Sequence, residues 1–332
     1  MILVTGATGH LGANLLRLLI AQGEPVRVLV RQSSNLDSLG GLEIEKVLGD
    51  LRDPESLRAV VRDCDRIYHC AALVTTAENR KRELFETNVV GTRNLLRAAL
   101  NAGVRRVVVS GSLSAVGQPE NRQANEDDAF DPFAAELPYA HSKAWAEHEC
   151  LKAAGDGLAV VIATSCAIIG PHDYVPSRVG RTLIDFAEGR MRFYVPGGFE
   201  FVSAHDIARG HFLAMERGRS GQRYIFSTEF LTMDEMLDLW ASVTGTQTRP
   251  RRLPPHLVYA GATVFQAVSR LRGSTHAERF TPGAIRLLQL QRRVDIGKAR
   301  TELGYEPTSI REAVTAAYED FVRRRLIASS PR

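Results

Sequence analysis

The sequence predicts an α/β fold: a doubly wound parallel sheet with a smaller, mostly helical C-terminal lobe. Three observations predict it. Strand and helix signals alternate regularly through the first half of the 332 residues, as they do where helices cover both faces of a parallel sheet. A turn with three glycines, Gly6, Gly9 and Gly12, joins the first strand to the first helix. After Gly170-Pro171 the alternation loosens into mainly helical periodicity. The expected division is residues 1–170 for the sheet domain, with chain returns from the second half, and residues 171–332 for the lobe.

Each element has its own signal. Ile2 to Thr5 are apolar and β-branched, a buried strand. Leu11 to Ala21 repeat Leu11, Leu15, Leu18 and Leu19 at helical spacing. Pro25 to Val30 and Ile44 to Leu48 read as the second and third strands. Asp53-Pro54 read as an N-cap followed by proline in the first turn, opening a helix to about Arg62. Arg66 to Cys70 form the fourth strand, and Arg82 to Ala102 a long helix stopped by Gly103. Arg106 to Val109 form the fifth strand, Tyr139 to Ala153 a helix, and Leu158 to Thr164 the sixth strand. Right-handed crossovers are the expected topology. Later helices are expected at Arg178 to Glu188, Asp206 to Glu216 and Met233 to Val243. Thr232 and Glu235 have capping-box spacing for the last. Further helices are expected near 256–271, 283–292, 296–303 and 309–326.

Composition is that of a soluble globular protein: 44% hydrophobic, 24% charged, formal charge +4. The clusters Arg249, Arg251, Arg252 and Arg323, Arg324, Arg325 read as solvated surface, so no nucleic-acid partner is expected. Cys64, Cys70, Cys150 and Cys166 show neither paired nor metal spacing. A reducing cytoplasm and no metal are expected. No signal peptide is read before the first strand. The apolar stretch Leu257 to Val268 is too short to span a bilayer and reads as a core or lid helix.

Three stretches carry chemistry. The first is the glycine turn. Its backbone N–H groups, at the positive end of a helix, suit a ligand phosphate, and larger residues at Gly6 or Gly9 would block the approach. The spacing G-x-x-G-x-x-G differs from the usual dinucleotide pattern, so a ligand-free turn is the other reading. The second is Tyr139-Ala140-His141-Ser142-Lys143. On a helix, Tyr139 and Lys143 share a face. A phenol titrates near about pH 10 and a neighbouring ammonium lowers that value, which makes the pair a general acid/base for alcohol–carbonyl interconversion. A surface helix pair is the plain alternative. The third is Ser110-Gly111-Ser112-Leu113-Ser114, placed directly after the fifth strand. There a hydroxyl could bond a carbonyl oxygen, or simply form a turn.

Together these stretches resemble the extended short-chain dehydrogenase/reductases, the NAD-dependent epimerase/dehydratase group. The resemblance also covers Gly49-Asp50-Leu51-Arg52-Asp53, His69-Cys70-Ala71-Ala72, Asn88 to Leu96, Phe201 to Asp206 and Leu303-Gly304-Tyr305-Glu306-Pro307. Within the group the chain looks most like the dihydroflavonol-4-reductase-like branch. The resemblance implies a Rossmann-type dinucleotide domain and a substrate-binding lobe. It implies that Tyr139 protonates a carbonyl oxygen, that Lys143 holds the nicotinamide ribose and lowers the tyrosine pKa, and that Ser112 polarises the carbonyl, with Ser110 the nearby alternative. The cofactor-binding set it implies is Gly6, Thr8, Gly9, His10, Leu11, Gly12, Arg31, Asp50, Leu51, Ala71, Ala72, Asn88, Ser110, Tyr139, Lys143, Ser165 and Ser177. Asn88 is either a cofactor contact or a helix anchor.

The second strand ends Val30-Arg31-Gln32-Ser33-Ser34, with no acid until Asp37. A guanidinium suits a 2′-phosphate, so NADP(H) is preferred over NAD(H); stacking of Arg31 on adenine would leave the choice open. Ser165 stands where the family often has proline, and His172 where sugar-nucleotide enzymes often have arginine. Leu113 and Ser114 replace the acidic pair of dehydratases. The expected function is reduction of a ketone or aldehyde, or the reverse, on a fairly apolar, ring-bearing small molecule. A sugar-nucleotide epimerase with tightly held NAD and a non-catalytic nucleotide sensor are the alternatives. His172, His205 and His211 read as packed or exposed polar residues. Tyr174, Phe193, Tyr194 and Phe199 are candidates for an aromatic pocket. No integral membrane segment is expected, and the long helices leave homodimer and monomer open.

Overall fold

The computed structural model describes residues 1–75, 78–134, 137–259 and 282–328. Helices expected near 256–271, and the apolar stretch to Val268, lie from residue 260 onward outside the described residues. The strands are β1 (Ile2–Thr5), β2 (Val26–Val30), β3 (Glu45–Leu48), β4 (Arg66–His69), β5 (Arg106–Ser112), β6 (Ala159–Ser165), β7 (Ala167–Ile169), β8 (Phe193–Tyr194), β9 (Gly198–Ser203), β10 (Arg223–Phe226), β11 (Glu229–Thr232) and β12 (Arg251–Arg252). The helices are α1 (His10–Ala21), α2 (Pro54–Val60), α3 (Lys81–Leu84), α4 (Gly91–Asn101), α5 (Pro138–Gly155), α6 (Arg178–Ala187), α7 (Ala204–Arg217), α8 (Met233–Thr244), α9 (Pro282–Gln289) and α10 (Ile310–Arg323).

Seven parallel strands form the main sheet in the order β10-β6-β5-β4-β1-β2-β3. The order reverses between β1 and β4, which opens a crevice at their carboxyl ends. Alternation along the strands feeds two cores. Ile2, Val4 and Val28 pack with Leu15, Leu16 and Leu19 of α1 on one face. Leu3, Leu29, Ile67 and Val107 pack with Leu57, Leu95 and Cys150 on the other. Asp53 caps α2 by accepting from Glu55 N, with Pro54 in the first turn. Thr232 and Glu235 close a reciprocal capping box on α8.

Several expectations change. β5 does not stop at Val109 but runs to Ser112, so Ser110, Gly111 and Ser112 lie within the strand, and Leu113 and Ser114 enter the short helical turn that follows. Gly111 permits this: a Cβ there would lie 2.5 Å from Thr164 Oγ1 on β6. The long helix is broken by a π-helical stretch, Phe85–Val90, between α3 and α4. Helix α7, sequentially in the second half, packs on α1 and the main sheet, because Ile207, Ala208 and Leu213 join the same core as Leu15. β10 extends the main sheet from the second half as well. The remaining lobe is mostly helical but includes a three-stranded sheet, β11-β9-β7, and a two-stranded one, β12-β8. Helix α7 starts at Ala204, capped by Ser203, whose side chain accepts from Asp206 N. The buried Asp206 carboxylate instead accepts from Thr228 and Thr308. Among the described residues no helix is long and apolar enough to cross a membrane.

Candidate active site

The crevice between β1 and β4 has backbone for walls. Gly6 has φ +72°, and a Cβ there would stand 2.5 Å from Ala71 N. A Cβ on Gly12 would stand 2.1 Å from Gly6 O. The turn is pinned by Gly9 N donating to Gly6 O at 2.9 Å. Helix α1 begins after Gly9 with no side-chain cap, leaving its leading N–H groups for a ligand. This cradle fits a dinucleotide phosphate: it offers donors, positive helix dipole and no side chain in the way. Ala71 and Ala72 follow β4 on the opposite wall. Asp50, whose carboxyl is held below the usual range chiefly by the Arg52 guanidinium, and Leu51 follow β3. Arg31 is exposed at the end of β2, and its N–H donates to Ser34 Oγ.

On the other side of β4 lies the hydroxyl cluster. Pro138 opens α5 in its first turn, and Tyr139 and Lys143 follow one turn apart on one face. Burial pushes the Tyr139 phenol up from its ordinary value, opposed by a hydrogen bond to Ser112. The phenol therefore stands above its ordinary value, where the neighbouring ammonium was expected to lower it. Instead Lys143 Nζ donates to Ser110 O at 2.6 Å. Its ammonium is pulled down by burial, with Glu147 pushing back. Ser112 and Ser114 hydroxyls lie 2.8 Å apart. Ser165 is the register partner of Ser112 across β5 and β6 and donates to Gly111 O at 3.4 Å.

A hydrogen-bond chain ties the two sides together. Thr5 Oγ1 bonds His69 Nδ1 at 2.7 Å, and His69 Nε2 bonds Thr92 Oγ1 at 2.9 Å. Thr92 donates to Asn88 O at 2.6 Å. Asn88 Nδ2 donates to Leu73 O and Ser142 Oγ, and its Oδ1 accepts from Leu73 N. Ser142 Oγ donates to Tyr139 O at 2.8 Å. Asn88 therefore spends both amide donors inside the protein; of its two readings, the helix anchor has the geometry and the cofactor contact does not. His69, buried and beside Lys143, is pulled down to about 3 and stays neutral.

Other expected contacts are also turned elsewhere. The His10 ring bonds Gly170 O and Pro171 O, and the Leu11 side chain sits in the core, so only their backbone faces the crevice. The Thr8 side chain is half-buried in the turn. Ser177 caps α6 by accepting from Gly180 N. Tyr174 stacks on His172 under the guanidinium groups of Arg17 and Arg324, Tyr194 donates to Asp234, Phe199 packs edge-on against Phe201, and Phe193 is exposed, so among the described residues these four rings each have separate surroundings. Two supporting roles, those of His211 and Glu147, escaped sequence reasoning. His211 Nε2 accepts from Ser110 Oγ at 2.8 Å, directly beneath the strand residue that holds Lys143. Its Nδ1 bonds Ile207 O, and burial pulls it down to about 4. Glu147, on the Tyr139–Lys143 face of α5, pairs with Arg223; its i+4 spacing from Lys143 was the available signal. Ser114 doubles the hydroxyl at Ser112.

A Rossmann-type sheet with a phosphate cradle at its switch point and a Ser–Tyr–Lys constellation on the neighbouring strand and helix defines a class of dinucleotide-dependent proteins. The chain belongs to the NAD dependent epimerase/dehydratase family, whose model matches residues 2–226; its members are oxidoreductases, epimerases and dehydratases, and it falls among the extended short-chain dehydrogenase/reductases. It is similar to sterol demethylase protein B of Methylococcus capsulatus, 43% identical over 98% of this chain and 99% of that one. It is similar to the 4-hydroxy-2-methyl-3-oxo-4-farnesyl-3,4-dihydroquinoline-1-oxide ketoreductase of Stigmatella aurantiaca, 32% identical over 91% of this chain and 90% of that one. Among solved structures it is similar to gox2253, with TM-score 0.86 and 31% identity over 98% of this chain and 99% of that one.

Proposed function

We propose that this protein is a carbonyl reductase, or the reverse alcohol dehydrogenase, for a fairly apolar, ring-bearing substrate. The observation that carries the reading is Tyr139 with Lys143 one turn on along α5, Lys143 bonded to Ser110 O, and Ser112 ending the same strand β5 beside the glycine cradle. Tyr139 gives its proton to the carbonyl oxygen, and Ser112, backed by Ser114, donates a hydrogen bond to that oxygen as negative charge develops. Lys143 supplies positive charge beside the phenol and is held in place through Ser110 O. The nicotinamide, when bound, supplies or takes the hydride. Gly6, Gly9 and the leading N–H groups of α1 would hold its pyrophosphate, and Asp50, Leu51, Ala71 and Ala72 its path. Exposed Arg31, with Ser33 and no acid before Asp37, favours NADPH over NADH. The likeness to a sterol demethylase protein and to a quinoline-oxide ketoreductase supports a fused-ring, apolar substrate.

The test is cofactor consumption against a panel of aromatic, fused-ring and aliphatic ketones, with NADPH and NADH in parallel, for wild type and Tyr139→Phe. Loss of the acid should lower kcat by about a hundred- to ten-thousand-fold. No turnover of any carbonyl with cofactor retained through purification would reject the reading in favour of an epimerase. Equal turnover by Tyr139→Phe would remove the tyrosine from the mechanism.

A further inference from the structure

Three segments far apart in the chain, residues 189–199, 245–259 and 282–291, carry six arginines and no aspartate or glutamate. They fold into one cap. Phe193 and Tyr194 of β8 pair in register with Arg251 and Arg252 of β12. Val195 packs with Ile285, Val258, Tyr259 and Leu288 in a small core of its own. Gln289 Nε2 donates to Pro196 O, which ties α9 to the ribbon. The surface of this cap is apolar and cationic together. Phe193, Leu257 and Leu290 are 49%, 60% and 42% exposed. Arg190 and Arg249 are spent on the bordering acids Asp185, Glu188 and Asp238, and Arg286 lies over the Tyr259 ring. Arg192, Arg251 and Arg252 are exposed, and among the described residues no carboxylate pairs with them. A single exposed apolar side chain is ordinary. Three of them on a surface of one charge sign differ from the mixed charge that keeps a surface in water.

We propose that this cap docks the protein onto the surface of an anionic lipid bilayer. Phe193, Leu257 and Leu290 enter the headgroup layer, and Arg192, Arg251 and Arg252 meet the lipid phosphates. Other occupants fit less well. A second copy would set arginines against arginines in a two-fold contact. Nucleic acid would use the arginines but not the two leucines, which neither bond phosphate nor stack on bases as rings do. The cap also stands against the candidate site. A Cβ on Gly283 would lie 2.3 Å from Leu137 Cδ2, just before Tyr139, and Gln118 Nε2 donates to Leu290 O at 3.3 Å. An apolar substrate dissolved in the bilayer would meet the site from that side. This last step rests on the reductase reading; the docking does not.

The experiment sediments the full chain with vesicles of phosphatidylcholine alone and of phosphatidylcholine with about one third phosphatidylglycerol. Wild type should bind the mixed vesicles at least about tenfold more tightly, and lose that preference in about half-molar salt. The double variant Arg251→Gln, Arg252→Gln should lower the partition about ten- to thirtyfold. Leu257→Ser should weaken it at least about threefold while keeping the dependence on lipid charge. No binding to the mixed vesicles, or unchanged binding in either variant, overturns the proposal. So does binding of duplex DNA or RNA, or self-association in solution, where vesicles are not bound. Melting curves establish that each variant is folded; if the double variant is not, Leu257→Ser and the charge and salt dependence of wild type decide. Vesicle binding without turnover of any carbonyl keeps the docking face and removes the reductase reading, and turnover without vesicle binding does the reverse.

Discussion

Replacing Glu147 by glutamine tests how the buried end of α5 supports the site. Glu147 is 5% exposed, lies one turn beyond Lys143, and pairs with Arg223 at the start of β10. Its Oε1 has no hydrogen-bond partner, so the ion pair and the Lys143 charge are what hold the carboxylate in a dry place. Glutamine keeps the shape and removes the charge. Two opposite charges about 4 Å apart attract by about 4 kcal/mol at an effective dielectric near 20, and stripping one partner from a buried pair costs about 3–5 kcal/mol. The Arg223 side chain is 20% exposed and can recover some hydration, so the lower end, about 3 kcal/mol, is expected. Urea unfolding measures it, and the cycle with Arg223→Met isolates the pair, with a coupling above about 1 kcal/mol expected. Activity supplies a second readout. Glu147 raises the Lys143 pKa against burial. Without it the ammonium loses its proton at lower pH, and the alkaline limb of kcat should move down. A stability loss below about 1 kcal/mol with an unmoved pH profile would refute both the pairing energy and its influence on Lys143.

Two further outcomes are expected. Gly6→Ala puts a side chain at φ +72° and 2.5 Å from Ala71 N, so it should cost about 2–4 kcal/mol and weaken dinucleotide binding at least about tenfold; calorimetric titration and a melt check both, and unchanged affinity would mean the cradle does not hold the ligand. Acid should destabilise the fold through its buried histidines. His211 and His69 have folded-state values of about 4 and about 3, below the ordinary value of about 6.5. The neutral rings therefore contribute full stability above about pH 6.5, and that contribution is lost as pH falls towards about 4. At about 1.4 kcal/mol per unit, His211 alone accounts for about 3 kcal/mol. Urea midpoints at pH 7 and pH 5 should differ, and less so in His211→Gln; equal midpoints in wild type would contradict the assignment.

Much of this architecture is written locally. Residues 2–21 announce a strand, a glycine turn and a leucine-striped helix because each depends on neighbours within a few positions. The same holds for Asp53-Pro54, for the Thr232–Glu235 box and for the i, i+4 spacing of Tyr139 and Lys143. That locality is why the sheet class, the phosphate cradle and the Ser112, Tyr139 and Lys143 constellation are legible without coordinates.

Other features were decided by partners far along the chain. The length of β5 depends on Thr164 leaving room only for a glycine at 111. Asn88 looks equally suited to ligand or helix until its amide is found between Leu73 and Ser142. His211 reads as an unremarkable helical residue until α7 crosses onto the sheet and brings it to Ser110, 101 positions away. Glu147 meets Arg223 over 76 positions, and Arg292 meets Leu113 over 179. Periodicity and caps report on backbone preference within a turn or two. Which charge is paired and which hydroxyl is spent depend on long-range packing, and only the tertiary structure sets them.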